Sequence, residues 1–299
     1  MYKHATKTLG IGRTLDHGTQ LFRATFRKAG PFSLLVGVVT IASGELLQPQ
    51  IERAAGGQFP WLAFAGSIVL VALFGMLFIS ALVVRQNGIA DGADPGPAES
   101  LRTAAGRTIA ALLCVAAVGL MFGLIVLVAG AILGFVAAAV RSGGSAAPAS
   151  APVIAVLVFA IAGTAIVVAY TYASQAYNLV VLHRLGPLRA LRRSFTLVSG
   201  NFWRTAIVIT VAYALTTAFQ LLQGAIVLSF VGFEFTEESL KTLQTDLILR
   251  WIDHLLTIAV LAVVMPWFTA ISLVQLNDLT LRRDGGDLER RLAELDAVR

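Results

Sequence analysis

Six stretches of the chain read as long apolar runs: Pro31 to Leu47, Trp61 to Val84, Thr108 to Val140, Pro152 to Leu182, Thr205 to Gly232 and Leu247 to Leu276. A helix rises about 1.5 Å per residue, so roughly 20 apolar residues cross the ~30 Å hydrocarbon core of a bilayer. The second to fifth runs contain no Asp, Glu, Lys or Arg, and therefore lack the wet face that a soluble helix carries. The first is short and holds Glu45, and the sixth begins with Arg250, Asp253 and His254; both are still expected to span. The third is longer than a bilayer needs, which predicts tilt, projection beyond the lipid, or a bend near Gly130 and Gly134. The pattern as a whole predicts an all-α polytopic membrane bundle of six transmembrane helices.

The connections carry their own pattern. After Gly186-Pro187, a sequence suited to a helix start, Leu188, Leu191, Phe195, Val198 and Phe202 recur at spacings of three and four. Arg189, Arg192, Arg193 and Thr196 fall on the opposite face, and Gly200-Asn201 ends the segment before Phe202-Trp203. GPAESLRTA at Gly96 to Ala104 matches GPLRALRRS at Gly186 to Ser194 in Gly, Pro, Leu and Arg. The N-terminal TLDHGTQLFRATFRKAGPF matches more loosely. Three amphipathic interfacial helices are predicted, one before each pair of spans, as a three-unit internal repeat. Residues 1–30 form an N-terminal amphipathic segment, 31–281 the six-span domain, and 282–299 an amphipathic tail.

Charge sets the orientation. Lys and Arg number six before the first span, three from Arg85 to Arg107, five from His183 to Arg204 and five after Leu276. The other side keeps Arg53, Arg141, Lys241 and Arg250. Basic short loops stay cytoplasmic, so both termini are expected in the cytoplasm, and the multi-pass chain in a bacterial inner membrane. Trp61, Trp203 and Trp251 sit at span ends, where amphipathic rings favour the headgroup layer. A composition 57% hydrophobic and 13% charged, with a net charge of +6, agrees with a membrane protein. Its basic residues flank apolar segments, so anionic lipid headgroups are the expected partner and nucleic acid is not. A single cysteine, Cys114, excludes a disulfide framework and a cysteine-based metal site.

At GPLRALRRSFTLVSGNFWR, with PGPAESLRTAAGR and LFRATFRKAGPF in support, the chain resembles the glycerophosphoryl diester phosphodiesterase membrane-domain family. That bacterial family has six spans and three amphipathic-plus-hairpin units, and the likeness covers about Leu9 to Leu279. Arg189 and Phe195 stand where members often show an acidic residue and Trp. The family takes its name from members fused to a catalytic barrel; a TIM barrel needs about 250 residues, whereas the longest polar segment here is about thirty. The resemblance therefore implies a stand-alone membrane part, and His183-Arg184-Leu185-Gly186 lacks the paired acidic ligands of a catalytic site.

Candidate chemistry is sparse. Arg189, Arg192, Arg193, Arg204 and Trp203 are candidates for contact with lipid headgroups. Tyr172, Gln175, Asn178, Gln220 and Gln223 are candidates for the lining of a polar cavity, against the plainer reading that they tie helices together. Arg250, Asp253 and His254 lie at i, i+3 and i+4, so Arg250 is expected to pair with Asp253 while His254 titrates near neutral pH. Gly119, Gly123, Gly130 and Gly134 form two small-xxx-small pairs expected to pack helices. No nucleophile elbow, P-loop or dinucleotide fingerprint occurs, so no cofactor and no enzymatic activity are expected. The reading is a non-enzymatic integral membrane protein with a scaffold or envelope-homeostasis role; the alternative is a small transporter or permease subunit.

Overall fold

The computed structural model describes residues 2–55, 60–142, 151–230 and 246–285. All regular structure among these residues is helical: α1 (Ile11–Ala55), α2 (Trp61–Ala90), α3 (Pro97–Ala105), α4 (Thr108–Ser142), α5 (Ala151–Ala173), α6 (Ala176–His183), α7 (Pro187–Val198), α8 (Phe202–Ser229) and α9 (Leu247–Asp284). Six helical stretches are long and apolar enough to cross a membrane, α5 and α6 together forming the fourth. The chain is an all-α, six-span membrane protein. The acidic connection at 233–246 lies outside the described residues except for Asp246, and most of the tail, 286–299, lies outside them too.

The N-terminal amphipathic segment does not stop before the first span. It runs into it as the single 45-residue α1, with Pro31 and Pro49 inside the helix. Membrane helices tolerate Pro where neighbours satisfy the freed carbonyls. The same device is visible at Pro266 inside α9. Pro266 cannot donate to the Ala262 carbonyl, and the Ser33 hydroxyl of α1 lies 3.1 Å from that oxygen. α1 packs most extensively against α9, and Gly18 and Gly37 permit the approach to Ile271 and Ile258.

The two separate interfacial helices are structural equivalents. Gly96 and Gly186 have nearly identical extended backbones, φ −63°, ψ 162° and φ −64°, ψ 154°, each followed by Pro. Ser100 and Ala104 of α3 are fully buried, as are Ala190 and Ser194 at the matching places of α7. The apolar stripe of α7 is thus displaced from the expected one: Ala190, Ser194, Leu197 and Val198 face the core, while Leu188 and Phe195 remain outward. Small residues win the buried face because the helix lies close against its neighbours.

The core is concentrated at the end of the bundle that holds the N-terminus and the end of α9, around Leu21, Val83, Val180, Leu197 and Leu273. The apolar stretches of α4 and α5 are mostly exposed, as lipid-facing surface should be when lipid is as apolar as the core. The glycines of α4 correct the sequence expectation. A Cβ at Gly119, Gly123, Gly130 or Gly134 meets nothing within 4 Å, so these positions face outward and do not seat a neighbouring helix of this chain.

Candidate functional site at the break in the fourth span

The fourth apolar run is interrupted at Ser174-Gln175, between α5 and α6. A break inside an apolar span frees backbone groups that lipid does not satisfy. α7 supplies the repair: the Ser194 hydroxyl lies 2.6 Å from the Tyr172 carbonyl and accepts from the Gln175 N–H at 3.2 Å. Beside the break the amides of three helices join. Gln175 Nε2 donates to Gln275 Oε1 at 3.2 Å, and Gln275 Nε2 to the Thr205 carbonyl at 3.3 Å. Asn178 Nδ2 lies 3.2 Å from Gln175 Oε1 and 2.7 Å from the Ser272 hydroxyl. Further along, buried Gln86 donates to the Pro266 carbonyl at 2.8 Å, the other side of the same proline.

A cavity of about 260 Å³ adjoins this layer, with Tyr170, Ser174, Tyr177, Asn178, Tyr213 and Ser272 on its walls. Tyr213 Oη donates to Tyr170 Oη at 2.8 Å, and Tyr177 Oη and the Ser80 hydroxyl are 2.9 Å apart. Of the five residues predicted to line a cavity, Asn178 does so. Gln175, held in the amide chain, borders only a much smaller cavity of about 20 Å³ beside it, and Tyr172 stacks on Phe195 at 5.1 Å. Gln220 is exposed on α8. Gln223 donates to Asp253 at 3.1 Å and to Thr257 at 2.7 Å, away from the break. Ser272 and Gln275 were missed because a 38-residue helix dominated by Leu, Ile and Val gives no sign of which polar position turns inward.

The predicted titrating cluster is rearranged. Arg250 pairs with Glu45 of α1, not with Asp253, and His254 Nε2 lies 3.1 Å from the same carboxylate. Arg250 and His254 share a face one helical turn apart, which points at α1, whereas Asp253 is turned toward Gln223 of α8. Among the headgroup candidates, Trp203, Arg189 and Arg192 are exposed. Arg193 forms an ion pair with Asp284 at 2.6 Å, and Arg204 is drawn inside.

Arg204 belongs to a knot around Asp278. This carboxylate, 1% exposed, accepts from Arg204 Nε at 3.1 Å, Arg282 Nε at 3.0 Å and the Leu9 N–H at 2.6 Å. Arg204 also donates to the Leu9 carbonyl and, at 3.0 Å, to the Thr14 hydroxyl. Upstream, His4 is wedged against Tyr2, with Nε2 3.3 Å from Asn87 Oδ1 and 3.9 Å from Asp91. Burial lowers the His4 pKa below 6.5, opposed by the Asp91 charge and the Asn87 hydrogen bond. A lowered histidine pKa means that the folded state resists protonation. The docking of this segment is therefore full above pH 6.5 and weakens as pH falls toward the lowered value. Hydrogen exchange of residues 2–9 is expected to accelerate between pH 7.5 and 5.5 after correction for intrinsic rates, and this extra acceleration should vanish in His4→Gln.

Among the described residues, no group of three or more His, Cys, Asp or Glu is placed to hold a metal ion. A family described as "Domain of unknown function (DUF7847)" matches residues 22–277. The chain belongs to that family. No curated protein matches the chain, and no solved structure does. The matched region begins inside α1 and ends inside α9, and contains α2 to α8 whole, with the broken fourth span and both interfacial helices.

Proposed function

We propose that this chain is a non-catalytic integral protein of the bacterial inner membrane, with cytoplasmic termini, acting as a scaffold or in envelope homeostasis. We further propose kinship with the glycerophosphoryl diester phosphodiesterase membrane-domain family, without its catalytic barrel. The observation that carries the reading is the closed amide chain Gln175-Gln275-Thr205, with Asn178 on Ser272. Groups that in an enzyme or carrier would meet a substrate here bind one another across α6, α8 and α9. The excess of Lys and Arg at the end holding the N-terminus supports a cytoplasmic placement. Outward Arg189, Arg192 and Trp203 suit contact with anionic headgroups.

The second reading, a small transporter, is favoured by the cavity of about 260 Å³ beside a discontinuous helix. One experiment separates the two. In a Cys114→Ala background, Thr216→Cys places a thiol on that cavity's wall. The scaffold reading expects no reaction with a small membrane-impermeant maleimide applied from either side of the membrane. Labelling from either side favours transport. In the same assay a cysteine at Ser145 should label from outside intact cells and one at Lys7 should not; the reverse would invert the proposed orientation.

A further inference from the structure

We propose that the cleft between the α3–α4 junction and the end of α6 binds a phosphate-bearing anion through Arg102, Arg107 and Arg184. The cleft measures about 480 Å³ and includes these three arginines and Thr103, with Ala110 and Val180 as its apolar part. These are not the α7 arginines of the general headgroup contact, so the site stands or falls independently of the proposed scaffold role.

Three guanidinium groups share this space without an acidic partner. Among the described residues, none of the three forms an ion pair or a side-chain hydrogen bond. Glu99, one turn before Arg102 on α3, pairs with none of them. Three carboxylates at this end pair with other cations: Asp94 with Lys28 and Arg85, Asp278 with Arg204 and Arg282, Asp284 with Arg193. Partial burial, followed by the neighbouring Arg184 charge, holds the Arg107 pKa below its ordinary value. Arg102 and Arg184 are exposed and Arg107 is half-buried, and like charges gathered in one cleft oppose folding unless an anion joins them.

The backbone adds a second mark. Arg184 caps α6 in the left-handed region, φ 55°, ψ 28°, a conformation that disfavours a side chain and is usually taken by glycine where a helix ends in it, as Gly285 does after α9. An arginine kept in that conformation and placed on the wall of a cationic cleft is a positioned ligand group. Guanidinium forks match phosphate oxygens in bidentate geometry, and the Thr103 hydroxyl supplies a further donor. The shared chemistry is a phosphate ester, which either an anionic phospholipid headgroup or a soluble phosphorylated compound presents.

The test uses the full chain. Phosphatidylglycerol retention is read by native mass spectrometry from micelles, and glycerol 3-phosphate and inorganic phosphate are titrated in phosphatidylcholine nanodiscs. The expected result is saturable binding that falls at least about tenfold (~1.4 kcal/mol) in Arg102→Gln/Arg107→Gln/Arg184→Asn. Asn is chosen because it tolerates the left-handed region. Arg189→Gln/Arg192→Gln should leave binding of the soluble probes as in the parent and lower phosphatidylglycerol retention by less than the triple variant does. Retained phosphatidylglycerol without binding of the soluble probes assigns a lipid headgroup; saturable binding of a soluble phosphate in neutral lipid assigns a free phosphate compound. Relief of repulsion should leave the triple variant's melting temperature in neutral lipid at or above the parent's; Arg107→Gln alone, read in the same way, should weaken binding several-fold. No saturable binding to either probe class, or equal loss in the α7 variant, overturns the site.

Discussion

Asp278→Ala is expected to destabilise the chain by about 3 kcal/mol, within the ~3–5 kcal/mol range for removing one member of a buried charged cluster. Asp278 is 1% exposed and its two arginine partners are 18% and 29% exposed, so water recovers part of the lost interaction and the lower end of the range applies. The variant removes the acceptor of the Leu9 N–H and the carboxylate that neutralises Arg204 and Arg282, leaving both guanidinium groups only neutral acceptors such as the Leu9 carbonyl, at the point where the N-terminal segment, α8 and α9 meet. The loss should appear as a lower melting temperature in detergent and as faster exchange of the Leu9 amide. Asp278→Asn keeps an oxygen for the Leu9 N–H and should lose about half as much. A melting temperature within experimental scatter of the parent's for Asp278→Ala would show that the knot does not hold this end together.

The sequence carries one part of this knot plainly and hides the other. Arg204 is visible as one of a run of basic residues, and its charge explains the orientation of the connection whether or not it is paired. Nothing local indicates that it folds inward while Arg189 and Arg192 do not, since that depends on Asp278, 74 residues away. The same limit explains Arg250. Spacing on one helix offers Asp253, but α1 brings Glu45 to the face that Arg250 and His254 share. Helical periodicity ranks partners on one element, and tertiary packing then overrides the ranking.

The spans were legible for a simpler reason. Runs of more than 20 residues without a charge have one stable home, so the four charge-free runs all fall on helices, and the sixth run falls on α9, which continues past Leu276 to Asp284. The first differs more, because Pro31 reads as a helix boundary in water and is absorbed in a packed membrane helix. The break at Ser174-Gln175 was not legible, since neither residue breaks helices by propensity. Its cause lies in Ser194, which satisfies the Tyr172 carbonyl and the Gln175 N–H from another helix. The repeated GP motif did announce α3 and α7, and only the structure reveals that the second copy has put its buried serine to this use.

Gly18→Leu should be the most damaging single change along α1. A Cβ at Gly18 would stand 2.6 Å from Ile271 Cγ1 and 2.9 Å from its Cα, closer than packed carbon atoms approach. The Cα belongs to the α9 backbone, so a rotamer change at Ile271 does not relieve the clash and the two helices must separate. Overpacking of this kind costs about 1–3 kcal/mol for small insertions, which sets the expectation for Gly18→Ala even after the gain in helix propensity of about 0.5–1 kcal/mol. A leucine should exceed that range and abolish the monodisperse peak in size-exclusion chromatography. Gly123 provides the contrast, because a Cβ there meets nothing within 4 Å. Gly123→Ala should leave stability unchanged or slightly raised, although its spacing in the sequence marks it as a packing glycine and that of Gly18 does not. If Gly123→Ala destabilises the chain while Gly18→Leu is tolerated, the α1–α9 contact is not the seam on which the bundle closes, and the glycine-lined face of α4 is covered by a second protein surface.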